Sequence, residues 1–152
     1  MKYVVLLLSF LIILTIPTVA QTKQTVPKDT KTADILGNAR NTPGYVEVFV
    51  RKVEVEAEIE SLLVEYTEEW MEVKIRRMEL GLLEKELKKI LAMKPEQMGK
   101  MSRAYGRLTV RKIELQAELI ENTKKFGDDH PSVSKLKIKI DVYQREIDKL
   151  LK

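Results

Sequence analysis

The sequence predicts an all-α protein of long antiparallel coiled-coil helices, built from two copies of a roughly 60-residue unit. Three observations predict it. Apolar residues recur at three-four spacing over most of residues 44 to 151. Pro and Gly interrupt that pattern at only a few places. A shift of sixty residues superposes the two halves without a gap. The composition agrees: 33% charged and 6% aromatic residues, rich in Glu, Lys, Leu, Val and Ile, suit exposed helices.

Residues 1–20 read as a signal peptide. Lys2 supplies a positive charge, Tyr3 to Ile16 is almost wholly apolar, Pro17 ends the run, and Thr18-Val19-Ala20 offers small residues for cleavage. The run is about 14 residues, short of the roughly 20 that span a bilayer. The expectation is therefore cleavage after Ala20, no stable membrane span afterwards, and an extracytoplasmic (periplasmic or secreted) address. Residues 21–43, rich in Thr, Lys and Gln with Pro27, Gly37 and Pro43, read as a flexible polar arm.

The helical domain covers 44–152. The first helix is expected over about 44–93, roughly 75 Å at 1.5 Å per residue. Ile59, Tyr66, Val73, Leu80 and Leu87 share one stripe, with Val55, Leu62, Leu83 and Ile90 between them. Glu69 and Arg76 are polar gaps in it, and Trp70, Met71 and Met78 stand nearby as a candidate interaction surface, since Met adapts to varied partners. Glu72 with Arg76 and Glu84 with Lys88 read as solvated outer-face pairs. Pro95 breaks the rod. A second helix over about 96–126 carries Met101, Tyr105, Leu108, Leu115, Leu119 and Phe126, with Asn122 as a polar insertion that fixes register or lies at an exposed edge.

Gly127, Asp128, Asp129, His130 and Pro131 form the structural turn into a third helix over about 131–151. Gly ends helices in a left-handed conformation, Pro suits a first helical turn, and an Asp there can cap free amides. That helix aligns Val133, Leu136, Ile140, Tyr143, Ile147 and Leu150.

In the sixty-residue repeat, Val50-Arg51-Lys52-Val53-Glu54-Val55-Glu56-Ala57-Glu58-Ile59 faces Val110-Arg111-Lys112-Ile113-Glu114-Leu115-Gln116-Ala117-Glu118-Leu119, and Tyr45 faces Tyr105. Sixty is not a multiple of seven, so shared heptads do not explain the match. Tyr66 to Val73 is a twin of Phe126 to Val133 without His or Pro, so the first helix is free to run straight through its own break site.

Phe126-Gly127-Asp128-Asp129-His130-Pro131-Ser132-Val133 and the heptad helix after it resemble the extracytoplasmic coiled-coil segment of polysaccharide chain-length determinant proteins, the co-polymerases. There an aromatic, a short gap, His-Pro and Val precede a Leu- and Ile-rich helix. Those proteins carry two transmembrane helices and a mixed domain, sometimes with a kinase. This sequence has one leader, no second hydrophobic span and no Gly-rich phosphate loop, so the resemblance implies the helical module alone.

Nothing in the pattern points to catalysis. His130 is the only His, beside Asp128 and Asp129, and adjacent side chains in a turn seldom converge on one ion. No Ser has a nucleophile-elbow context. The many Glu residues would be solvated on an open rod, which disfavours a carboxylate-based glycan hydrolase. No cofactor is expected. The net charge of +4 is spread over 27 basic and 23 acidic residues without a basic face, which argues against nucleic acid. The expected function is a non-enzymatic exported structural or interaction protein, through a protein partner or self-association, linked to envelope or polysaccharide-export assemblies. The alternative is an exported holdase-type helical chaperone.

Overall fold

The computed structural model describes residues 38–152, and the leader and most of the arm lie outside them. The protein is all-α. Among the described residues, five helices follow the helical stretch at 38–40: α1 (Pro43–Leu62), α2 (Met71–Leu91), the short α3 (Pro95–Met98), α4 (Arg103–Phe126) and α5 (Pro131–Leu151). The described end of the arm is helical at 38–40, and Ala39 is fully buried there.

The expected helix over 44–93 is two helices. Between Leu62 and Met71 the chain turns, with no Gly or Pro to force it. Trp70 is extended (φ −62°, ψ 137°) and precedes α2 without a side-chain cap. The break is held by what it brings together. Folding α2 back on α1 buries Val55 and Ile59 on one side and Val73, Leu83 and Leu87 on the other. Such tertiary burial outweighs the propensity of a mid-length helix to continue. The turn is also stitched to α2 by Glu68 to Arg77 at 2.6 Å and by the Glu69–Lys74 pair.

The second expected helix also starts later than 96. Pro95 opens only a four-residue helix, and the main helix begins at Arg103. Its cap is Ser102, whose Oγ accepts from the Tyr105 amide at 3.2 Å. Thr42 does the same for the Tyr45 amide of α1 at 3.3 Å.

Element bounds repeat at sixty residues. α1 and α4 start at 43 and 103, and α2 and α5 span 71–91 and 131–151. Each turn carries a stacked ring pair at the same offset. Tyr66 lies on Trp70 with centroids 5.0 Å apart, and Phe126 lies on His130 at 4.7 Å.

Contacts fix the layering. Arg51 meets Glu79 while Glu58 meets Arg76, so α1 and α2 are antiparallel. Glu86 meets Tyr105 near one end of the α2–α4 contact, and Glu72 faces Glu121 near the other, so these too are antiparallel. Gly44 meets Gly106 while Arg51 meets Glu114, so α1 and α4 run parallel. α5 returns antiparallel along α4, with Lys112 Nζ on Gln144 Oε1 at 2.9 Å. The result is two helical hairpins stacked side by side, with α4 seated against both helices of the first. The core lies where three helices meet, around Val48, Val55, Leu83, Ile90, Met101, Tyr105 and Ile113.

The closest backbone approach is at Gly106. A Cβ there would stand 2.7 Å from the Gly44 carbonyl oxygen and 2.7 Å from Glu47 Cβ, so only Gly lets α4 reach α1 in this register. Gly44 N donates to Met101 O at 2.9 Å beside it.

Candidate functional site

The predicted turn residues lie as follows. Gly127 ends α4 with φ +85° and ψ 167°, a glycine conformation but not the left-handed helical one expected. The cap of α5 is His130 and not an aspartate: its Nδ1 accepts from the Ser132 amide at 3.3 Å. Asp128 stands 4.0 Å from Lys137, and Asp129 makes no such pair. His130 is therefore a capping residue, and no group of three metal-ligating side chains occurs among the described residues. Asn122 donates to Glu118 O of its own helix, so it sets no register across helices.

The candidate interaction surface divides. Trp70 and Met71 line a groove of about 480 Å³ between the start of α2 and the end of α4, whereas Met78 is exposed outside it. The groove is concave because α4 runs four residues past the position equivalent to the end of α1, while α2 begins only after its turn. Its apolar lining is Trp70, Met71, Ile75 and Ala117. Its polar lining is five carboxylates (Glu72, Glu79, Glu114, Glu118, Glu121) against two cations, Arg76 and Lys125. The open rod read from the sequence offered no concave surface. Stacking the second hairpin on the first creates one.

Beneath the groove lies a polar cluster that the sequence pattern did not reveal. Glu79 is fully buried. Its Oε1 accepts from Arg51 Nε at 3.0 Å and Nη2 at 2.8 Å, and its Oε2 accepts from Arg76 Nη1 at 2.7 Å. Glu58 closes the ring, 3.2 Å from Arg51 and 2.9 Å from Arg76. Glu114 of α4 approaches Arg51 at 3.6 Å. Burial works against the Arg51 charge, but the hydrogen bond and charge of Glu79 outweigh it and raise its pKa. Arg76 thus belongs to this cluster and not to an outer-face pair with Glu72, and no Glu84–Lys88 pair forms among the described residues. The one sequence signal was Arg76 itself, a polar gap in the apolar stripe.

Glu72 and Glu118 face the groove without an ion-pair partner among the described residues, whereas Glu121 is paired to Lys125. Trp70 is held by its stack on Tyr66 yet remains half exposed. The groove thus offers a fixed aromatic, a flexible thioether and free negative charge.

A second buried polar contact anchors the far end of α4. Tyr105 donates its hydroxyl proton to Glu86 Oε1 at 2.8 Å, and Lys89 meets the same oxygen at 3.2 Å. Burial, then the charge of Glu86 and the hydrogen bond to it, push the Tyr105 pKa up. Burial also lowers the pKa of nearby Lys112.

Comparison with family models, curated proteins and solved structures finds no match for this chain. No helix of the described residues is long and apolar enough to cross a membrane.

Proposed function

We propose that this chain is a non-enzymatic helical interaction protein of an extracytoplasmic compartment, and that its α2–α4 groove seats an apolar, basic segment of a protein partner. The observation that carries this reading is the pairing of half-exposed Trp70 and Met71 with the unpaired carboxylates Glu72 and Glu118. An aromatic anchor beside an adaptable thioether supplies apolar contact, and uncompensated carboxylates select Lys or Arg on the incoming segment. A non-enzymatic role fits the deepest carboxylate, Glu79, which is fully buried and held by hydrogen bonds between two guanidinium groups. The leader read from residues 1–20 supports an envelope setting for the partner, and the turn resemblance favours a polysaccharide-export assembly.

Trp70 is the only Trp, so its emission reports the groove directly. Titration with a basic amphipathic peptide is expected to shift that emission to the blue, with affinity falling as salt rises. A photo-crosslinker at Met71 in cells is expected to capture one envelope protein, and Glu118→Lys is expected to abolish both signals. Unchanged emission at millimolar peptide together with no captured partner refutes the reading.

The holdase reading is favoured by one feature, the half-exposed apolar face of α1 formed by Val46, Phe49, Val50 and Val53. Suppression of client aggregation at stoichiometric ratio, lost in Phe49→Glu and retained in Trp70→Ala, would establish it in place of the groove.

A further inference from the structure

Two further cavities open onto the groove and make it one trough. A cavity of about 300 Å³ between α1 and α4, whose walls include Val50, Arg107 and Arg111, shares Glu114 with the groove. A cavity of about 700 Å³ beside the end of α1, whose walls include Ala57 and Ser61, shares Glu72 and Arg76 with it. Glu54 lines both of these cavities. The trough is therefore the valley between the parallel helices α1 and α4. The two helices touch at Gly44 and Gly106, and toward the turns Glu72 and Arg76 of α2 form the floor.

The two walls differ in chemistry. On α1, Val46, Val50, Val53 and Ala57 recur at three-four spacing, and all four are exposed. On α4, Arg107, Arg111, Glu114 and Glu118 recur at the same spacing, and the sign of the charge reverses midway. Arg111 and Glu114 pair with each other at 2.9 Å and cancel. Arg107 remains toward one end and Glu118 toward the other, neither with an ion-pair partner among the described residues. They stand about 16 Å apart along the helix, at 1.5 Å per residue. Glu72, also unpaired, adds to the negative end, and half-exposed Trp70 and Met71 close that end with apolar surface. A polyanion or an anionic lipid surface laid along the trough would be repelled by Glu72 and Glu118.

We propose that the partner segment is an amphipathic helix lying along this trough. Its apolar stripe packs on Val46, Val50, Val53 and Ala57, its basic end lies over Glu72 and Glu118, and its acidic end lies over Arg107. The proposal rests on the groove reading and adds the partner's secondary structure and its second, acidic end. A helix fits because the apolar wall recurs once per turn, the spacing that successive turns of an incoming helix also present. The pair of helices already takes a third in this way. α2 packs on both α1 and α4, on the buried face of α1 opposite the exposed stripe.

The test uses the chain as the expressing cell processes it, with three synthetic amphipathic helices of equal length and the same Leu stripe. The first carries Glu in one half and Lys in the other, the second carries the same residues intermixed, and the third carries Lys throughout. Trp70 emission reads the binding of each. The block-charged helix is expected to bind about tenfold more tightly than the intermixed one. Arg107→Glu is expected to weaken the block-charged helix by about three- to tenfold and to leave the all-Lys helix as tight or tighter. Position is read separately. The sequence has no Cys, so Val50→Cys introduces the only thiol, at an exposed site. Under mild oxidation it is expected to trap a block-charged helix with Cys at its acidic end and not one with Cys at its basic end. Equal affinity for the block-charged and intermixed helices overturns the proposal, as does trapping at the basic end. A dimer of the unmodified chain that Val50→Glu dissociates also overturns it, because a second copy is then the occupant. If only the all-Lys helix shifts the Trp70 emission, this proposal falls and the groove reading stands. If none of the three shifts it, both fall.

Discussion

Glu79 is the residue whose removal most directly tests the stacked-hairpin arrangement. It is fully buried and accepts three hydrogen bonds from two guanidinium groups, one from each helix of the first hairpin. Breaking a buried ion pair by deleting one partner costs about 3–5 kcal/mol, because the remaining charge is left uncompensated. Here the penalty is smaller. The side chains of Arg51 and Arg76 keep 18% and 31% exposure, and Glu58 still contacts both. We expect Glu79→Ala to cost about 2–3 kcal/mol and Glu79→Gln, which keeps the shape and one acceptor, about 1–2 kcal/mol. In urea, with a slope of about 1–3 kcal/mol/M, the alanine change lowers the midpoint by about 1–2 M at constant slope. Arg51→Met alone is expected to cost about as much, and the double change Arg51→Met, Glu79→Met less than the sum of the two singles, since the apolar pair strands no charge. A midpoint within experimental error of wild type for Glu79→Ala would mean that water reaches this carboxylate in solution, and the α1–α2 packing described here would be wrong.

Gly106→Ala forces a methyl against the backbone of α1 and is expected to cost about 1–3 kcal/mol by thermal unfolding, with Gly81→Ala, which faces open space, neutral or mildly stabilising. Tyr105 has a raised folded-state pKa, so its contribution is complete below the unfolded value of about 10 and is lost as pH rises through the folded value. Tyr105→Phe is expected to flatten the alkaline fall in stability above pH 10, and an unchanged slope contradicts this. Lys112, with a lowered pKa, acts in the opposite sense just below its unfolded value and is present in both proteins. Gly127→Ala with Pro131→Ala is expected to cost about 1–3 kcal/mol through the positive φ at Gly127 and to leave the small-angle scattering profile unchanged, because the first turn forms without either residue. A longer particle would show that the second turn depends on them.

The apolar period revealed which residues face inward, since Val55, Ile59, Val73, Leu83, Leu87 and Ile90 all lie on the predicted stripe and all are buried. It did not reveal the turn after Leu62, because a heptad pattern continues equally well in one helix or across a reversal that returns it to itself. Tyr66 fits the stripe and yet sits exposed in the turn, stacked on Trp70. The cue lay in the repeat: Phe126 and His130 occupy a visible break, and their counterparts Tyr66 and Trp70 carry the same geometry without its usual residues. The groove was half legible. Trp70 and Met71 stood out as apolar residues beside a polar gap, but their neighbours Ala117, Glu118 and Glu121 come from α4, some fifty residues away. Glu79 was not legible at all. A glutamate amid Arg76, Arg77 and Lys85 reads as surface, and only Arg51 arriving from α1 turns it into a buried acceptor.

Position 79 and its counterpart 139 show how little of a residue's role is local. Both lie on the same face of equivalent helices that begin at equivalent turns. One is a glutamate sealed beneath α4, the other a lysine in solvent. Had the two hairpins been equivalent in surroundings as well as in shape, one burial pattern would serve both. Instead α4 covers position 79, and among the described residues nothing covers position 139. The large apolar residues Val46, Phe49 and Val53 stand on an open face where the closed one has Gly106, Thr109 and Ile113. The Gly106 position tolerates no Cβ against the Gly44 carbonyl, so Val46 at the equivalent place on α1 could not make the contact that α4 makes, and the two faces are not interchangeable.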